Sequence, residues 1–193
     1  MRKLMVLAVA WAFVGCTNQS QNTHGQIVNY ETKGNLQGST PVGCVEIGKV
    51  TSLSTPADIY PAVVKCVDAG EYERAVYLYA LGGIYGRFDT LRVSDSTAHQ
   101  AVQVLQINNF GRLTKEQNET FKKVLLANAE TGSKQFTTLC SKIRRVGYPR
   151  YFPTYMIQHG MNAVLGSDNA GINADFDPEK AWEEALKGYL HCP

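Results

Sequence analysis

Apolar side chains recur every three or four positions along most of the chain after Ser54, the spacing of one buried face of an α-helix. Glycines, prolines and capping residues divide this pattern into about seven segments. The predicted helices cover residues 56–69, 71–84, 94–110, 115–129, 133–146 and 154–165, and a last helix begins at Pro178. Pro61 offers an alternative start for the first helix. Only residues 42–50 suggest a strand or an extended lead-in, so we predict an all-α fold, an irregular helical bundle.

The first two helices are expected to form a hairpin. Residues 69–79 read Ala-Gly-Glu-Tyr-Glu-Arg-Ala-Val-Tyr-Leu-Tyr. This segment resembles the junction of a tetratricopeptide-type helix pair, where Gly permits a tight turn, Tyr packs across it and Ala lets the helices approach closely. A repeat array needs about three or more stacked copies, and no second copy occurs at a fixed period. We therefore predict one isolated αα-hairpin that is similar to a tetratricopeptide unit.

The N-terminus has the pattern of a secretory signal. Arg2 and Lys3 precede an uncharged apolar run over residues 4–14, which is too short to span a bilayer as a stable helix. The following Gly15 and Cys16 complete an ending that resembles a bacterial lipobox. The resemblance implies cleavage after residue 15, lipidation of Cys16 and anchoring to the membrane. Thr17 follows the cysteine where inner-membrane lipoproteins typically carry Asp, which favours the outer membrane, with the domain facing the periplasm.

The predicted anchor is followed by a polar segment and then by the helical domain. Residues 17–40 are mostly Asn, Gln, Ser, Thr and Gly, a composition that buries too little apolar surface to offset the entropy of ordering. We therefore assign residues 1–15 to a signal peptide, residues 16–41 to the lipidated cysteine with a flexible tether, and residues 42–193 to the helical domain.

The charge balance of the mature chain is neutral. Removal of Arg2 and Lys3 with the signal peptide leaves 17 basic and 17 acidic residues. No basic stripe with interleaved aromatic residues is present, so we expect no nucleic-acid partner. The adjacent Arg144 and Arg145 are attributed to the end of a helix, where cations interact favourably with its dipole.

The cysteine count fits export. Lipidation of Cys16 leaves an even number of thiols, which favours two disulfides in an oxidising compartment. The four candidates are Cys44, Cys66, Cys140 and Cys192. Three pairings are possible, and sequence alone does not rank them. No spacing is CxxC, so zinc binding and thioredoxin-like redox chemistry fit poorly, and we expect neither a metal nor a cofactor.

One segment between two predicted helices is dense in aromatic residues. Its candidate binding residues are Tyr148, Arg150, Tyr151, Phe152 and Tyr155. Aromatic side chains with an arginine are favoured at binding hot spots. The same residues would also fill the space at a corner between helices, and both interpretations remain open at this stage.

Catalytic motifs are sparse. The chain lacks a GxSxG elbow, an HExxH pair and a phosphate-binding glycine loop. His99 and His159 are the only plausible general bases, and a nearby carboxylate at Asp89 or Asp95 could orient His99. Such histidines more often serve as structural hydrogen-bonding groups, so we predict no enzymatic activity and assign no catalytic residue.

The lipobox at Cys16, the polar tether and the hairpin around residues 70–79 together resemble lipoprotein immunity proteins that protect bacteria from type VI secreted phospholipase effectors. This resemblance implies a lipid-anchored periplasmic protein that binds an incoming effector and occludes its active site, with no chemistry of its own. Two other function classes remain: a structural or assembly lipoprotein of the envelope, and a hydrolase that uses His99 or His159.

Overall fold

The computed structural model describes residues 31–167 and 171–193. The predicted signal peptide, the lipidation site Cys16 and the tether up to residue 30 lie outside these residues. The described part is all-α and has no β-strand, as predicted. Its eight helices are α1 (Pro56–Asp68), α2 (Tyr72–Arg92), α3 (Ala101–Phe110), α4 (Lys115–Ala129), α5 (Lys134–Val146), α6 (Thr154–Ile157), α7 (Met161–Val164) and α8 (Pro178–Gly188). None of these helices is long and apolar enough to cross a membrane.

The predicted hairpin is formed by α1 and α2. The Thr55 hydroxyl accepts a hydrogen bond from the Asp58 amide at 3.2 Å, and the Asp58 carboxylate accepts one from the Thr55 amide at 2.8 Å. This capping box begins α1 at Pro56, so the alternative start at Pro61 is wrong. Gly70, with φ +75°, then turns the chain into α2.

Helix α2 extends beyond its predicted end near residue 84 and continues to Arg92. Glycines within a helix usually weaken it, and three of them lie between residues 82 and 86. Here the glycines let large side chains approach the backbone. A Cβ atom on Gly82 would lie 2.9 Å from Cε1 of Tyr60, and one on Gly83 would collide with the Tyr189 hydroxyl. Close packing at these positions therefore compensates for the low helix propensity of glycine.

This packing gives a direct prediction for Gly82. We expect Gly82→Ala to lower the free energy of unfolding by about 1–3 kcal/mol, because Tyr60 is fully buried and cannot move aside without disturbing the core. Gly188→Ala is the matched control, since an added Cβ there meets no atom within 4 Å. Urea denaturation of both variants measures the difference. Equal stability of the two variants would contradict the close-approach explanation.

Two other predicted helices are divided into shorter elements. Residues 94–110 form a 3-10 turn at Ser96–Gln100 followed by α3. Residues 154–165 form the single-turn helices α6 and α7, which are separated by residues 158–160. A side chain at Gly160 would collide with the Asp95 carboxylate, which approaches the backbone at this point. A helical pattern in sequence does not reveal such a contact between distant segments.

The four candidate cysteines form two disulfides, as predicted, and the structure supplies their pairing. Cys44 pairs with Cys66, which joins the segment before α1 to α1 itself. Cys140 pairs with Cys192, which joins α5 to the C-terminus. These disulfides indicate an oxidising, extracytoplasmic location.

The folded domain begins before the predicted boundary at residue 42. The Thr32 hydroxyl donates to the Gln158 carbonyl. The Leu36 amide donates to the Tyr155 carbonyl at 3.0 Å. The segment is polar but its backbone groups find partners on the domain, which composition alone does not show. Residues 32–40 therefore pack against the helical body, and residues 42–50 form an extended lead-in interrupted by a 3-10 turn at Ile47–Lys49.

Candidate functional site

The last part of α5 and the lead-in to α1 enclose a cavity of about 350 Å³, which we call the basic groove. Its lining residues are Glu46, Ile47, Gly48, Val50, Thr51, Ser52, Lys142, Arg145 and Val146. The cavity combines an apolar base, two cationic side chains and two hydroxyl-bearing residues. Apolar walls with a few polar groups are typical of binding sites in proteins.

The packing of α5 places its basic residues on the groove. Ser133 begins the helix, because its hydroxyl accepts a hydrogen bond from the Phe136 amide at 3.0 Å. The buried face of α5 consists of Phe136, Leu139, Cys140 and Ile143. Lys142 and Arg145 lie outside this face and are three positions apart, so they share a side of the helix. The lead-in to α1 contributes Ile47 and Val50, which are almost fully buried and form the apolar base of the groove.

The charge in the groove is predominantly positive. Glu46 is the only acidic lining residue, and its carboxylate accepts hydrogen bonds from Arg74 at 2.8 and 3.0 Å. This hydrogen bonding lowers the pKa of Glu46, and the charges of Lys142 and Lys49 add to the effect. Among the described residues, Lys142 and Arg145 form no ion pair. Their charges therefore remain available to a ligand.

Lys142 is also held in place by an aromatic ring. Its ammonium nitrogen lies 4.3 Å from the centroid of the Tyr77 ring on α2, within the range of a cation–π interaction. Restricting a flexible side chain in advance reduces the entropy that binding would cost. The lysine is therefore positioned for an anionic group before any ligand arrives.

The aromatic segment predicted for binding continues from the groove. The Arg150 amide donates a hydrogen bond to the Ser52 carbonyl at 2.8 Å, which holds the two segments together. The Arg150 guanidinium lies 5.7 Å from the centroid of the Tyr148 ring. Phe152 and Leu53 are both exposed large apolar side chains close to this contact in sequence. The hydrogen bond to Ser52 therefore places Arg150 beside a lining residue of the basic groove.

Two of the predicted binding residues belong to the core instead. The hydroxyl groups of Tyr151 and Tyr155 donate to the same carboxylate oxygen of Asp89, at 2.8 and 2.7 Å. Nε of Arg92 donates to the other oxygen at 2.8 Å, and Nη2 of the same side chain lies 2.7 Å from that oxygen in an ion pair. Burial raises the pKa of Asp89, whereas Arg92 and the two hydroxyls oppose that rise. We call these four residues the buried clamp.

The buried clamp corrects the candidate binding set. Tyr151 and Tyr155 are buried and leave almost no surface for a partner, and their hydroxyls are bonded within the protein. Tyr148, Arg150 and Phe152 remain at least partly exposed. Of the two interpretations of this segment, the corner-filling one therefore describes the two buried tyrosines, and the binding interpretation still applies to the other three residues.

The two candidate histidines have structural hydrogen bonds. Nε2 of His99 donates to the Val93 carbonyl at 2.9 Å. Nδ1 of His159 lies 2.9 Å from the amide oxygen of Asn35, and burial lowers the pKa of this histidine. His99 also lines a cavity of about 270 Å³. That neither histidine is catalytic stays a prediction.

Among residues 31–167 and 171–193, no group of three or more His, Cys, Asp or Glu side chains is arranged to hold a metal ion. Comparisons of the chain with known protein families, with curated proteins and with solved structures found no match.

Sequence reasoning missed the basic groove. Lys142 and Arg145 are separated in sequence from the opposite wall by almost one hundred positions, and only folding brings them together. The available signal was their position on the polar side of a strongly amphipathic helix. Arg144, by contrast, pairs with Glu183 at 2.9 Å and does not line the groove, although its neighbour Arg145 does.

Proposed function

We propose that this chain is a lipid-anchored, extracytoplasmic binding protein that recognises another protein through the basic groove. The observation that carries the proposal is the pair of cations, Lys142 and Arg145, which form no ion pair among the described residues and flank an apolar cavity. Recognition of this kind needs a fixed surface and no reacting group.

The support for an anchor comes from the N-terminal sequence together with the disulfides. Two disulfides fit an exported protein. The apolar run before Cys16 fits a lipoprotein signal that is removed on export. A lipidated cysteine would keep the domain at a membrane, and we propose the outer membrane with the domain in the periplasm.

The support for a protein partner comes from the combination of charge and shape. The mature chain is neutral overall, yet the groove gathers two cations that form no ion pair among the described residues, and its lining residue Ser52 is hydrogen-bonded to Arg150 of the aromatic segment. Arginine and aromatic residues are enriched at interface hot spots. Charges around such a surface select a partner of opposite sign and speed its association. We therefore expect the partner to present carboxylates to the groove.

A narrower proposal concerns the identity of that partner. The resemblance of the lipobox at Cys16, the polar tether and the hairpin around residues 70–79 to lipoprotein immunity proteins suggests a secreted toxic effector of the phospholipase class, neutralised by occlusion of its active site. A domain that works by occlusion needs no catalytic residues. If the bound partner were instead a resident protein of the envelope, the chain would be a structural or assembly lipoprotein.

Charge reversal in the groove tests the proposal. The partner is first identified by cross-linking the native protein in cells and is then purified. We expect the double variant Lys142→Glu, Arg145→Glu to bind this partner at least tenfold more weakly, because both cations would be replaced by groups that repel carboxylates. Isothermal titration calorimetry measures the affinity.

The matched control is Lys122→Glu, Lys123→Glu, which makes the same change in net charge on the exposed side of α4, away from the groove. We expect this control to bind within about twofold of the wild type. Equal weakening by both double variants would show that net charge alone matters, and would remove the groove from the proposal.

A further inference from the structure

The turn formed by α7 exposes two large apolar side chains. Met161 is 51% exposed and Leu165 is 73% exposed. The Leu165 amide donates to the Met161 carbonyl at 2.9 Å, so the two residues are one helical turn apart and share a side. Exposed apolar side chains that occur together often mark a contact with another surface.

The backbone of this turn is fixed to the domain. The Met161 amide donates to the Thr97 hydroxyl at 2.9 Å, and the Asn162 amide donates to the Asp95 carboxylate at 2.9 Å. These bonds satisfy two amides at the start of α7. The apolar side chains are therefore carried by a well-supported backbone, and their exposure is a property of the fold.

The turn lies close to the point where the N-terminal segment joins the domain. Thr32 bonds to the carbonyl of Gln158, and Asn35 bonds to His159, two residues before Met161. Sixteen peptide units separate Cys16 from Thr32, and a chain of this length reaches at most about 55 Å. A lipid attached at Cys16 would therefore keep the point where the segment joins the domain, beside this turn, within about 55 Å of a bilayer.

The surrounding sequence is compatible with lipid contact. Residues 151–167 contain no Asp, Glu, Lys or Arg, although 19% of the whole chain is charged. The stretch itself would thus bring no fixed charge to the hydrocarbon boundary, and the Asp95 carboxylate beside it is already buried. Phe152, a third exposed apolar residue, belongs to the same uncharged stretch.

We propose that the turn carrying Met161 and Leu165 rests in the interfacial region of the bilayer and orients the anchored domain. This inference depends on the proposed lipid anchor. The two side chains would enter the boundary between headgroups and acyl chains, as apolar residues of peripheral proteins do. The contact is weak alone and becomes effective because the anchor keeps the turn at high local concentration near lipid.

Tryptophan fluorescence in the lipidated mature protein, which begins at Cys16, tests the contact. The protein is reconstituted into phosphatidylcholine vesicles with or without bromine on the acyl chains, and bromine quenches only nearby indole rings. We expect Leu165→Trp to lose at least half of its added fluorescence in brominated vesicles. Met161→Trp provides a second probe, which we expect to be quenched similarly. The wild-type protein gives the background from Trp182, which is buried.

Leu126→Trp is the matched control, because Leu126 is an apolar residue with 61% exposure on α4. We expect its added fluorescence to change little. If the probes at positions 161 and 165 are quenched no more than the probe at position 126 while the protein floats with the vesicles, the anchor stands and the contact is refuted. Failure to float with the vesicles would refute the anchor and the contact together.

Discussion

Replacing Asp89 with alanine should lower the free energy of unfolding by about 3–5 kcal/mol, the usual cost of breaking a buried ion pair. Asp89 is fully buried, and within the buried clamp its carboxylate accepts three hydrogen bonds and pairs with the Arg92 guanidinium. The substitution leaves this guanidinium without its counterion and two tyrosine hydroxyls without an acceptor. Urea denaturation followed by circular dichroism measures the loss.

An exposed ion pair provides the control for this prediction. Arg87 on α2 pairs with Glu184 at 3.1 Å, and the two side chains are 43% and 50% exposed. Such surface pairs contribute less than about 1 kcal/mol, so we expect Arg87→Ala to have a small effect. If Asp89→Ala cost no more than Arg87→Ala, the buried clamp would not stabilise the fold as described.

Removal of the Cys140–Cys192 disulfide should lower the free energy of unfolding by about 4 kcal/mol. The bond joins residues 52 positions apart, and cross-linking a loop of this size reduces the entropy of the unfolded chain accordingly. It also attaches the end of the chain to the buried face of α5, which carries the cations of the basic groove. Substitution of both cysteines by alanine, with urea denaturation, measures the effect.

The other disulfide provides the comparison. Cys44–Cys66 joins residues 22 positions apart, for which the same relation gives about 3 kcal/mol. We expect the variant lacking Cys140–Cys192 to be the less stable of the two. A loss below about 1 kcal/mol for the longer loop, well under the usual range, would indicate that the C-terminus is held by its other contacts, such as the Arg144 bond to the Pro193 carbonyl at 2.7 Å.

The helical class and the main helices follow from local signals in the sequence. The capping boxes at Thr55 and Thr114 and the start of α8 at Asp177 are formed by side chains within three positions of each other. The number of disulfides followed from the parity of the cysteines. Their pairing, the length of α2 and the division of residues 154–165 did not, because each depends on contacts between segments far apart in the chain.

For the candidate site too, local features could be predicted from the sequence and features that depend on distant contacts could not. An aromatic segment with an arginine could be located from sequence, but the direction of each side chain could not. Tyr151 and Tyr155 are drawn inward by Asp89, more than sixty positions earlier. Phe152 stands between them and is exposed. Charge composition likewise gives only the net charge of the mature chain, which is zero. The local excess of positive charge at Lys142 and Arg145 depends on where α5 packs.

Photo-crosslinking from the groove in intact cells tests the proposed function most directly. A photoreactive amino acid at Thr51, an exposed lining residue, should join the chain to one discrete protein, and the Lys142→Glu, Arg145→Glu substitutions should abolish that product. The same probe at Lys123 on α4 should not form it. Products that are equally strong from residues 51 and 123, or that persist after charge reversal, would contradict recognition through the basic groove.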